Sequence, residues 1–334
     1  MSRTVIVTGA AGFIGSHLGA ALLARGDRVI GIDNFDPFYD RAIKLANLAP
    51  LASERFELAE TDIRDRQAIK ALLGRWKPDA LFHIAALAGV RPSIAEPARY
   101  ASVNVEGLVS VLEAARASGC RRVVFASSSS VYGDYRSVPF SETDPVDEPI
   151  SPYAATKRAG ELICRTYSHL FGLLIGCVRL FTVFGPAQRP DLAISTFMRL
   201  IAADEEVPMY GDGTTSRDYT YIDDIISGVL AADDHLASRS ATGGPGFCRI
   251  WNLGGSQPVT LRALIDAIGG VVGNPPRIRQ LAMQPGDVQR TWADLTRSRA
   301  ELGYEPKTSF EDGLKRQWAW TQSVGIEGSV SSAP

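Results

Sequence analysis

The first strand of the chain runs directly into a glycine-rich turn. Thr4 to Val7 is a short run of β-branched residues, and Gly9, Gly12 and Gly15 follow it with the spacing G-x-x-G-x-x-G. Apolar residues at helical spacing begin within this turn and continue until Gly26. Because the turn lacks side chains, its backbone can approach a pyrophosphate, which then sits at the positive end of the helix. The pattern therefore predicts a strand–turn–helix unit that binds a dinucleotide.

The residue that ends the second predicted strand indicates which dinucleotide is bound. Asp33 follows the strand at Arg28 to Ile32, about 20 residues after the glycine turn. A carboxylate there can hold the adenosine ribose hydroxyls and would repel a 2′-phosphate, so we expect NAD rather than NADP. The alternative is a tight turn followed by a surface aspartate. Asp62 and Ile63, after the third predicted strand at Phe56 to Leu58, are candidates for the adenine contact, and the alternative for Asp62 is an ordinary strand-end aspartate.

Strands and helices alternate through the first half of the chain, which predicts an α/β protein of Rossmann type with a doubly wound parallel sheet. From about Gly185 the regularity fades, which indicates a smaller C-terminal α/β unit. We expect residues 1–184 to form the dinucleotide-binding domain and residues 185–324 mainly a substrate domain, with allowance for a return of the chain to the sheet. Residues 325–334 are expected to be a disordered tail. Helices are predicted at 12–25, 67–76, 97–118, 151–171, 221–232 and 261–272, and later strands at 80–86, 122–127, 174–181, 207–211 and 249–253.

Charge and cysteine content exclude several classes of protein. The chain has 35 Lys and Arg against 37 Asp and Glu, whereas nucleic-acid binders usually have a basic excess, so no nucleic-acid partner is expected. No segment approaches the roughly 20 apolar residues of a membrane span. The 4 cysteines form no C-x-x-C pair and have no nearby histidine, so no metal site is expected, and Cys164 and Cys177, which lie in apolar segments, are taken as reduced core residues. No signal peptide is recognised, and a cytoplasmic location is expected.

A serine, a tyrosine and a lysine form the candidate catalytic set. Tyr153 and Lys157 are four residues apart on one face of a predicted helix. A tyrosine base needs a nearby cation, because its ordinary pKa is about 10. Ser128 ends the fifth strand, where a hydroxyl can hold the reacting oxygen at the ligand crevice. A Tyr-x-x-x-Lys pair alone is equally typical of a solvated helix face, but the glycine turn and the serine-rich strand end favour catalysis.

These motifs resemble those of the extended short-chain dehydrogenase/reductase family, and the resemblance covers nearly the whole chain. Within that family the chain is most similar to the UDP-glucuronate 4-epimerases. The supporting segments outside the motifs above are 33–40, 88–91, 185–186, 189–191, 210–213, 217–224 and 285–288.

The resemblance implies a fold, an activity and a set of contacts. NAD-dependent 4-epimerisation of UDP-glucuronate to UDP-galacturonate through a transient 4-keto sugar is expected, in a homodimer. The NAD contacts implied are Gly9, Gly12, Phe13, Ile14, Gly15, Asp33, Asn34, Asp62, Ile63, Ala85, Ala86, Ala88, Asn104, Ser127, Tyr153 and Lys157. The UDP-sugar contacts implied are Arg91, Ser128, Ser129, Ser130, Thr182, Arg189, Tyr210, Arg217, Asp287 and Arg290, of which Thr182 and Arg189 would bind the sugar carboxylate.

Several alternatives share the fold. A UDP-glucuronate decarboxylase would, by resemblance, carry a glutamate where Ser129 and Ser130 stand, and a 4,6-dehydratase would need an Asp-Glu pair there. A UDP-glucose 4-epimerase needs the same serine, tyrosine and lysine, and the region of Arg189 argues against it. A non-catalytic NAD-binding regulator comes from another class of protein. The helices at 97–118 and 151–171 are candidates for the dimer interface, and the alternative is that both only cover the sheet.

Overall fold

The computed structural model describes residues 2–134, 137–283 and 288–324. The strands are β1 (Thr4–Thr8), β2 (Arg28–Asp33), β3 (Phe56–Glu60), β4 (Ala80–His83), β5 (Arg122–Ser128), β6 (Leu174–Leu180), β7 (Thr182–Phe184), β8 (Glu206–Tyr210), β9 (Ser216–Tyr221), β10 (Phe247–Leu253), β11 (Pro258–Thr260) and β12 (Arg277–Leu281). The α-helices are α1 (Phe13–Ala24), α2 (Arg41–Leu48), α3 (Arg66–Trp76), α4 (Val90–Ala95), α5 (Pro97–Ala101), α6 (Gly107–Ser118), α7 (Pro152–Phe171), α8 (Ala193–Ala202), α9 (Ile222–Ala241), α10 (Leu261–Val272), α11 (Thr296–Leu302) and α12 (Phe310–Ser323). No helix within these ranges is long and apolar enough to cross a membrane.

A parallel sheet forms the centre of the described structure. Its strand order is β10-β6-β5-β4-β1-β2-β3, and every neighbouring pair is parallel. The chain works outward from β1 in one direction and then from β4 in the other, so the order reverses between these two strands. Ligands of open α/β sheets bind at such a reversal, beyond the carboxyl ends of the strands. The predicted α/β class with a doubly wound sheet is confirmed.

Alternate residues of each central strand point to opposite faces of the sheet. On β1, Val5 and Val7 belong to one buried cluster and Ile6 belongs to another. The first cluster includes apolar residues of α1 and α9, and the second includes those of α3, α6 and α7. Because both faces are covered, the central strands are apolar throughout rather than alternating, which is typical of parallel sheets.

The chain returns to the main sheet beyond residue 185. After α9, strand β10 pairs in parallel with β6 along their whole length. Residues 249–253, predicted as part of the smaller unit, therefore extend the main sheet. Outside it lie two small sheets, β11-β9-β7 and β12-β8. The division of the chain after residue 184 stays a prediction, and the predicted tail at 325–334 lies outside the described residues.

The helix predicted at 97–118 is not continuous. Helix α5 ends at Ala101, a π-helical segment spans Ser102–Glu106, and α6 begins at Gly107. The π-helical segment contains Asn104, whose side chain makes hydrogen bonds to the backbone of Leu87. A wider turn is one way to aim a side chain at a specific partner, and π-segments are often found at functional sites.

Helix α7 begins and ends where its sequence predicts. The Ser151 hydroxyl accepts a hydrogen bond from the Ala154 N–H at 3.1 Å, and Pro152 occupies the first helical position. The helix ends at Gly172, which adopts the left-handed conformation at φ +70°.

A buried ion pair joins α7 to the sheet. The Glu161 carboxylate of α7 accepts two hydrogen bonds of 2.8 Å from the Arg179 guanidinium of β6. Both side chains are 1% exposed, so this ion pair is fully buried.

We expect Glu161→Ala to lower the free energy of unfolding by about 3–5 kcal/mol, because the substitution leaves the Arg179 charge buried without its partner. Urea titration followed by circular dichroism measures the change. Arg262→Ala is the matched control, since it removes the exposed pair between Arg262 and Asp266 on α10 and should cost no more than about 0.5 kcal/mol. An equal effect of both substitutions would contradict the expectation.

Candidate active site

A cleft of about 390 Å³ opens at the carboxyl ends of the parallel strands. It extends from the glycine turn to the segment after β7, so it contacts both the sheet and the C-terminal half of the chain. Most of the predicted site residues line it: Gly9, Gly12, Phe13, Ile14, Gly15, Asp33, Asn34, Asp62, Ile63, Ala85, Ala86, Ala88, Ser127, Ser128, Ser129, Ser130, Tyr153, Lys157, Thr182 and Arg189.

The three glycines of the turn serve different purposes. A Cβ on Gly9 would lie 2.9 Å from the Ala85 backbone, and one on Gly15 would lie 2.0 Å from the Gly9 carbonyl oxygen. These two glycines therefore allow the turn, the helix and the segment after β4 to pack closely. Gly12 has φ −77°, which any residue can adopt, and the Gly9 oxygen at 3.2 Å is the contact its Cβ would make. The missing side chain of Gly12 leaves space in front of the N-terminus of α1, which is suited to a pyrophosphate.

Asp33 fixes the turn to the segment that follows β2. Its carboxylate is buried and accepts hydrogen bonds from the Ala11 N–H at 3.0 Å and the Phe35 N–H at 2.9 Å. Each oxygen keeps acceptor capacity for a ribose hydroxyl. Asn34 donates to Asp62 at 2.9 Å, and hydrogen bonds from Arg64 hold the pKa of Asp62 at about 2. The cleft thus presents two fixed carboxylates at its adenosine end, which fits an unphosphorylated ribose.

Ser128, Tyr153 and Lys157 lie together at the centre of the cleft. The Lys157 ammonium donates to the Ala126 carbonyl at 2.7 Å and lies 5.9 Å from the centre of the Tyr153 ring. Burial lowers the pKa of Lys157 to about 8. Burial also raises the pKa of Tyr153, against the opposite effects of the Ser128 hydrogen bond and the positive charge of Arg189. Tyr153 therefore depends on neighbouring cations and hydrogen bonds to act as a base.

Asn104 does not line the cleft, although it was predicted to contact the cofactor. Its oxygen accepts from the Leu87 N–H at 2.9 Å, and its amide donates to the Leu87 carbonyl and to the Thr156 hydroxyl, both at 3.0 Å. These bonds tie the segment after β4 to α7. Asn104 thereby holds that cleft wall, and its contact with the cofactor stays a prediction.

A second cavity of about 190 Å³ adjoins the cleft. Ser129, Ser130 and Thr182 line both cavities, so they lie where the two meet, and Arg217 lines the second. The remaining predicted substrate residues stand apart from both linings: the Arg91 guanidinium lies 4.8 Å from the centre of the Tyr210 ring, and Arg290 pairs with the backbone of Ser216. Asp287 lies outside the described residues.

A buried aspartate next to Arg217 was missed by the sequence analysis. The Asp218 carboxylate accepts hydrogen bonds from the backbone N–H groups of Gly255 at 2.7 Å, Ser256 at 3.0 Å and Ala293 at 2.9 Å. Burial raises its pKa to about 6. This clamp joins β9 to the loop after β10 and to the segment that carries Arg290. The sequence feature that could have identified Asp218 is its position beside Arg217 in the segment 217–224.

The segment after Asp33 also contributes residues that were not predicted. Asp36, Phe38, Tyr39 and Lys44 line the cleft. Lys44 is buried, its ammonium donates to the Asp36 carbonyl at 2.7 Å, and it lies 4.7 Å from the centre of the Tyr39 ring. Two aromatic residues soon after a strand end were a signal for a loop that folds over a ligand.

Comparisons with known proteins identify the family of the chain. The model of the GDP-mannose 4,6 dehydratase family matches residues 6–317. The chain belongs to this family. The resemblance to extended short-chain dehydrogenase/reductases, expected from the motifs, is confirmed.

Relatives within the family include several nucleotide-sugar epimerases. A UDP-glucuronate 4-epimerase of Thermodesulfobacterium geofontis is 40% identical over 95% of this chain and 95% of its own length. The solved UDP-glucuronic acid 4-epimerase of Bacillus cereus, in complex with UDP-glucuronic acid and NAD, is 34% identical, with a TM-score of 0.88 over 96% of this chain and 99% of that one. The solved UDP-glucose 4-epimerase of Thermotoga maritima with UDP-glucose is 30% identical, with a TM-score of 0.86 over the same shares of the two chains.

Gly12→Val tests the glycine cradle. Because the backbone of Gly12 is already compatible with a side chain, we expect the variant to fold and to lose bound dinucleotide, with at least about a tenfold weaker affinity for NAD. Isothermal titration with NAD and a thermal melt measure the two properties separately. Gly74→Val in α3 is the control, since a Cβ there meets nothing within 4 Å, and it should bind NAD like the unsubstituted protein. Equal NAD affinity in both variants would contradict the assignment.

Proposed function

We propose that this protein is an NAD-dependent UDP-glucuronate 4-epimerase that forms UDP-galacturonate. The observation that carries the proposal is the position of Arg189 in the cleft that also contains Tyr153, close enough for its charge to lower the pKa of the tyrosine. A sugar whose C4 hydroxyl meets Tyr153 would place a C5 carboxylate near this guanidinium. The named activity of the relatives supports the same conclusion.

The residues of the cleft fit the proposed cofactor. The space in front of Gly12 suits the pyrophosphate, and Asp33 with Asp62 suits the adenosine end. Small residues after β4, among them Ala85 and Ala86, leave room beside the catalytic set. When bound, NAD supplies the reversible oxidation at C4 of the sugar.

The chain's own residues move the proton and hold the sugar. Ser128 holds the C4 oxygen through its hydroxyl, and Tyr153 accepts the proton from that oxygen. Lys157 stabilises the phenolate of Tyr153, because an ammonium in this buried site is attracted strongly to a negative charge. The 4-keto sugar then turns within the cleft and presents its other face, and Tyr153 returns the proton to the oxygen. The net change is inversion at C4.

We also propose that the protein is a homodimer. Leu162 and Leu170 on α7 are 51% and 61% exposed, and Phe171 beside them is 43% exposed. Apolar side chains this exposed on one helix are typical of a surface that a second subunit covers. Sedimentation of the purified protein tests this point, and a monomer at all concentrations would refute it.

We propose a cytoplasmic location on the basis of the thiols. All four cysteines are free, and Cys120, Cys164 and Cys177 are buried. A chain with free thiols and no disulfide among its cysteines suits a reducing compartment. Fractionation of the source cells would test this point.

Proton NMR of the protein with UDP-glucuronate tests the activity directly. We expect UDP-galacturonate as the main product without added reductant, since the reaction is redox-neutral. UDP-xylose as the main product would indicate a decarboxylase, and conversion of UDP-glucose alone would indicate the neutral-sugar epimerase. Binding of NAD with no turnover of any UDP-sugar would indicate a regulator.

Lys157→Met tests the source of the tyrosine's reactivity. The substitution removes the cation, so the pKa of Tyr153 should rise and the acid limb of the kcat profile should move to higher pH. Turnover at pH 7 should fall by about 10²- to 10⁴-fold. Rates measured between pH 6 and 10 check the shift, and Tyr153→Phe serves as the inactive reference. An acid limb at the same pH as in the unsubstituted protein would contradict the assignment.

A further inference from the structure

Arg189 is held from two sides by Asp191 and Phe38, neither of which was among the predicted site residues. Its Nε and Nη2 groups donate to the two carboxylate oxygens of Asp191, at 2.9 and 2.6 Å. Its guanidinium carbon lies 4.7 Å from the centre of the Phe38 ring, a distance typical of a cation–π contact. The guanidinium is thus fixed in direction as well as in place.

The backbone around Arg189 is fixed independently of these two contacts. The Gln317 amide of α12 accepts from the Gly185 N–H at 2.9 Å and donates to the side-chain oxygen of Gln188 at 2.8 Å, and the Gln188 amide in turn donates to the Val183 carbonyl at 3.0 Å. His17 of α1 makes a hydrogen bond of 2.9 Å with the Pro186 carbonyl. Since other residues hold the main chain, we infer that Asp191 and Phe38 orient the Arg189 side chain.

Asp191 and Phe38 approach the guanidinium from different directions. Arg189 and Phe38 line the cleft with Tyr153, whereas Asp191 lies outside that lining and its side chain is 42% exposed. A guanidinium has two edges that can hold a carboxylate by two parallel hydrogen bonds. Asp191 occupies the Nε–Nη2 edge, so the Nη1–Nη2 edge is the one suited to a ligand carboxylate.

The orientation of that ligand carboxylate decides the fate of the reaction intermediate. A 4-keto glucuronate is a β-keto acid, so the C5–C6 bond can break with loss of CO₂. The electron pair of that bond then forms the C4–C5 enolate, and C5 takes a proton from water. The loss needs the C5–C6 bond to align with the π system of the C4 carbonyl, so a carboxylate held out of that alignment is protected.

We propose that Asp191 and Phe38 are positioning residues that aim Arg189 so that the substrate carboxylate stays out of the decarboxylating alignment. This inference rests on the proposed function. According to the proposal, the two contacts that orient Arg189 determine whether the product is the epimerised acid or a decarboxylated pentose. Asp191 also offsets part of the positive charge of Arg189. It therefore orients the guanidinium and at the same time weakens the attraction of Arg189 for the substrate carboxylate.

UDP-glucuronate labelled with ¹³C at C6 tests the proposal. The ratio of labelled CO₂ and bicarbonate to UDP-galacturonate is followed by carbon NMR, together with KM and kcat. In Asp191→Ala and Phe38→Leu we expect the ratio to rise by about tenfold or more, since small displacements of a bound group have effects of this size. KM for Asp191→Ala should be unchanged or lower, because a competing carboxylate is gone.

Two further variants separate orientation from simple structural damage. Phe38→Tyr keeps an aromatic face under the guanidinium and should restore the low ratio of the unsubstituted protein. Asp266→Asn removes a charge from an exposed aspartate of another ion pair and should leave the ratio unchanged. A purely structural role of Phe38 or Asp191 would lower kcat without changing the ratio.

The outcomes distinguish this proposal from the proposed function. If Arg189→Lys raises the CO₂ ratio but Asp191→Ala and Phe38→Leu do not, the positioning role is wrong and the epimerase assignment stands. If Asp191→Ala raises KM at a constant ratio, Asp191 serves binding alone and the proposal is also overturned. If the unsubstituted protein forms no UDP-galacturonate, the proposed function itself has failed.

Discussion

The bracing of Asp33 between two backbone donors is the interaction on which the site depends most. The Ala11 N–H belongs to the glycine turn, and the Phe35 N–H belongs to the segment that leaves β2. One buried carboxylate therefore sets the distance between the helix N-terminus and the loop that contains Phe38. Because buried carboxylates are costly without hydrogen-bond partners, this geometry has little freedom to relax. The dinucleotide end of the cleft and the support of Arg189 are consequently parts of one connected arrangement.

Helix α7 combines chemistry with stability through a spacing of four residues. Tyr153, Lys157 and Glu161 follow one another on one side of the helix, so the base, its cation and the buried carboxylate are stacked by turns. Glu161 accepts hydrogen bonds from Arg179 of β6 and, at 2.7 Å, from the Ser127 hydroxyl of β5. This hydrogen bond fixes the end of β5 at Ser127, the residue directly before Ser128. Tyr153 and Lys157, the proposed catalytic groups, therefore precede a buried ion pair between this helix and the sheet by about two turns and one turn.

Local spacing explains why much of the site could be predicted from the sequence. The glycine turn, Asp33 and the Tyr153–Lys157 pair are each defined by short-range geometry, and the structure places all of them on one cleft. The hydrogen bonds of Asn104 to Leu87 could not be predicted in this way, because they depend on the π-helical segment, which the helical periodicity did not reveal. Residues 249–253 were assigned to the smaller unit, because pairing with β6 joins strands far apart in the chain. The spacing of residues along the sequence does not reveal contacts between segments that are far apart in the chain.

Specificity in this fold follows from the same distinction between local and distant contacts. Solved relatives with closely similar backbones are named as epimerases of UDP-glucuronic acid and of UDP-glucose, which differ at C5, so the fold alone cannot separate these substrates. A group that does so must be able to reach the C5 substituent and must be positioned by residues outside the candidate catalytic set. Under the proposed function Arg189 is that group, since it lines the cleft with Tyr153 and its side chain is held by Phe38, far away in the sequence, and by Asp191, which lies outside the cleft lining. A charge alone would attract an acidic sugar, but only a charge of fixed direction can also determine how the bound acid is oriented while C4 is a ketone.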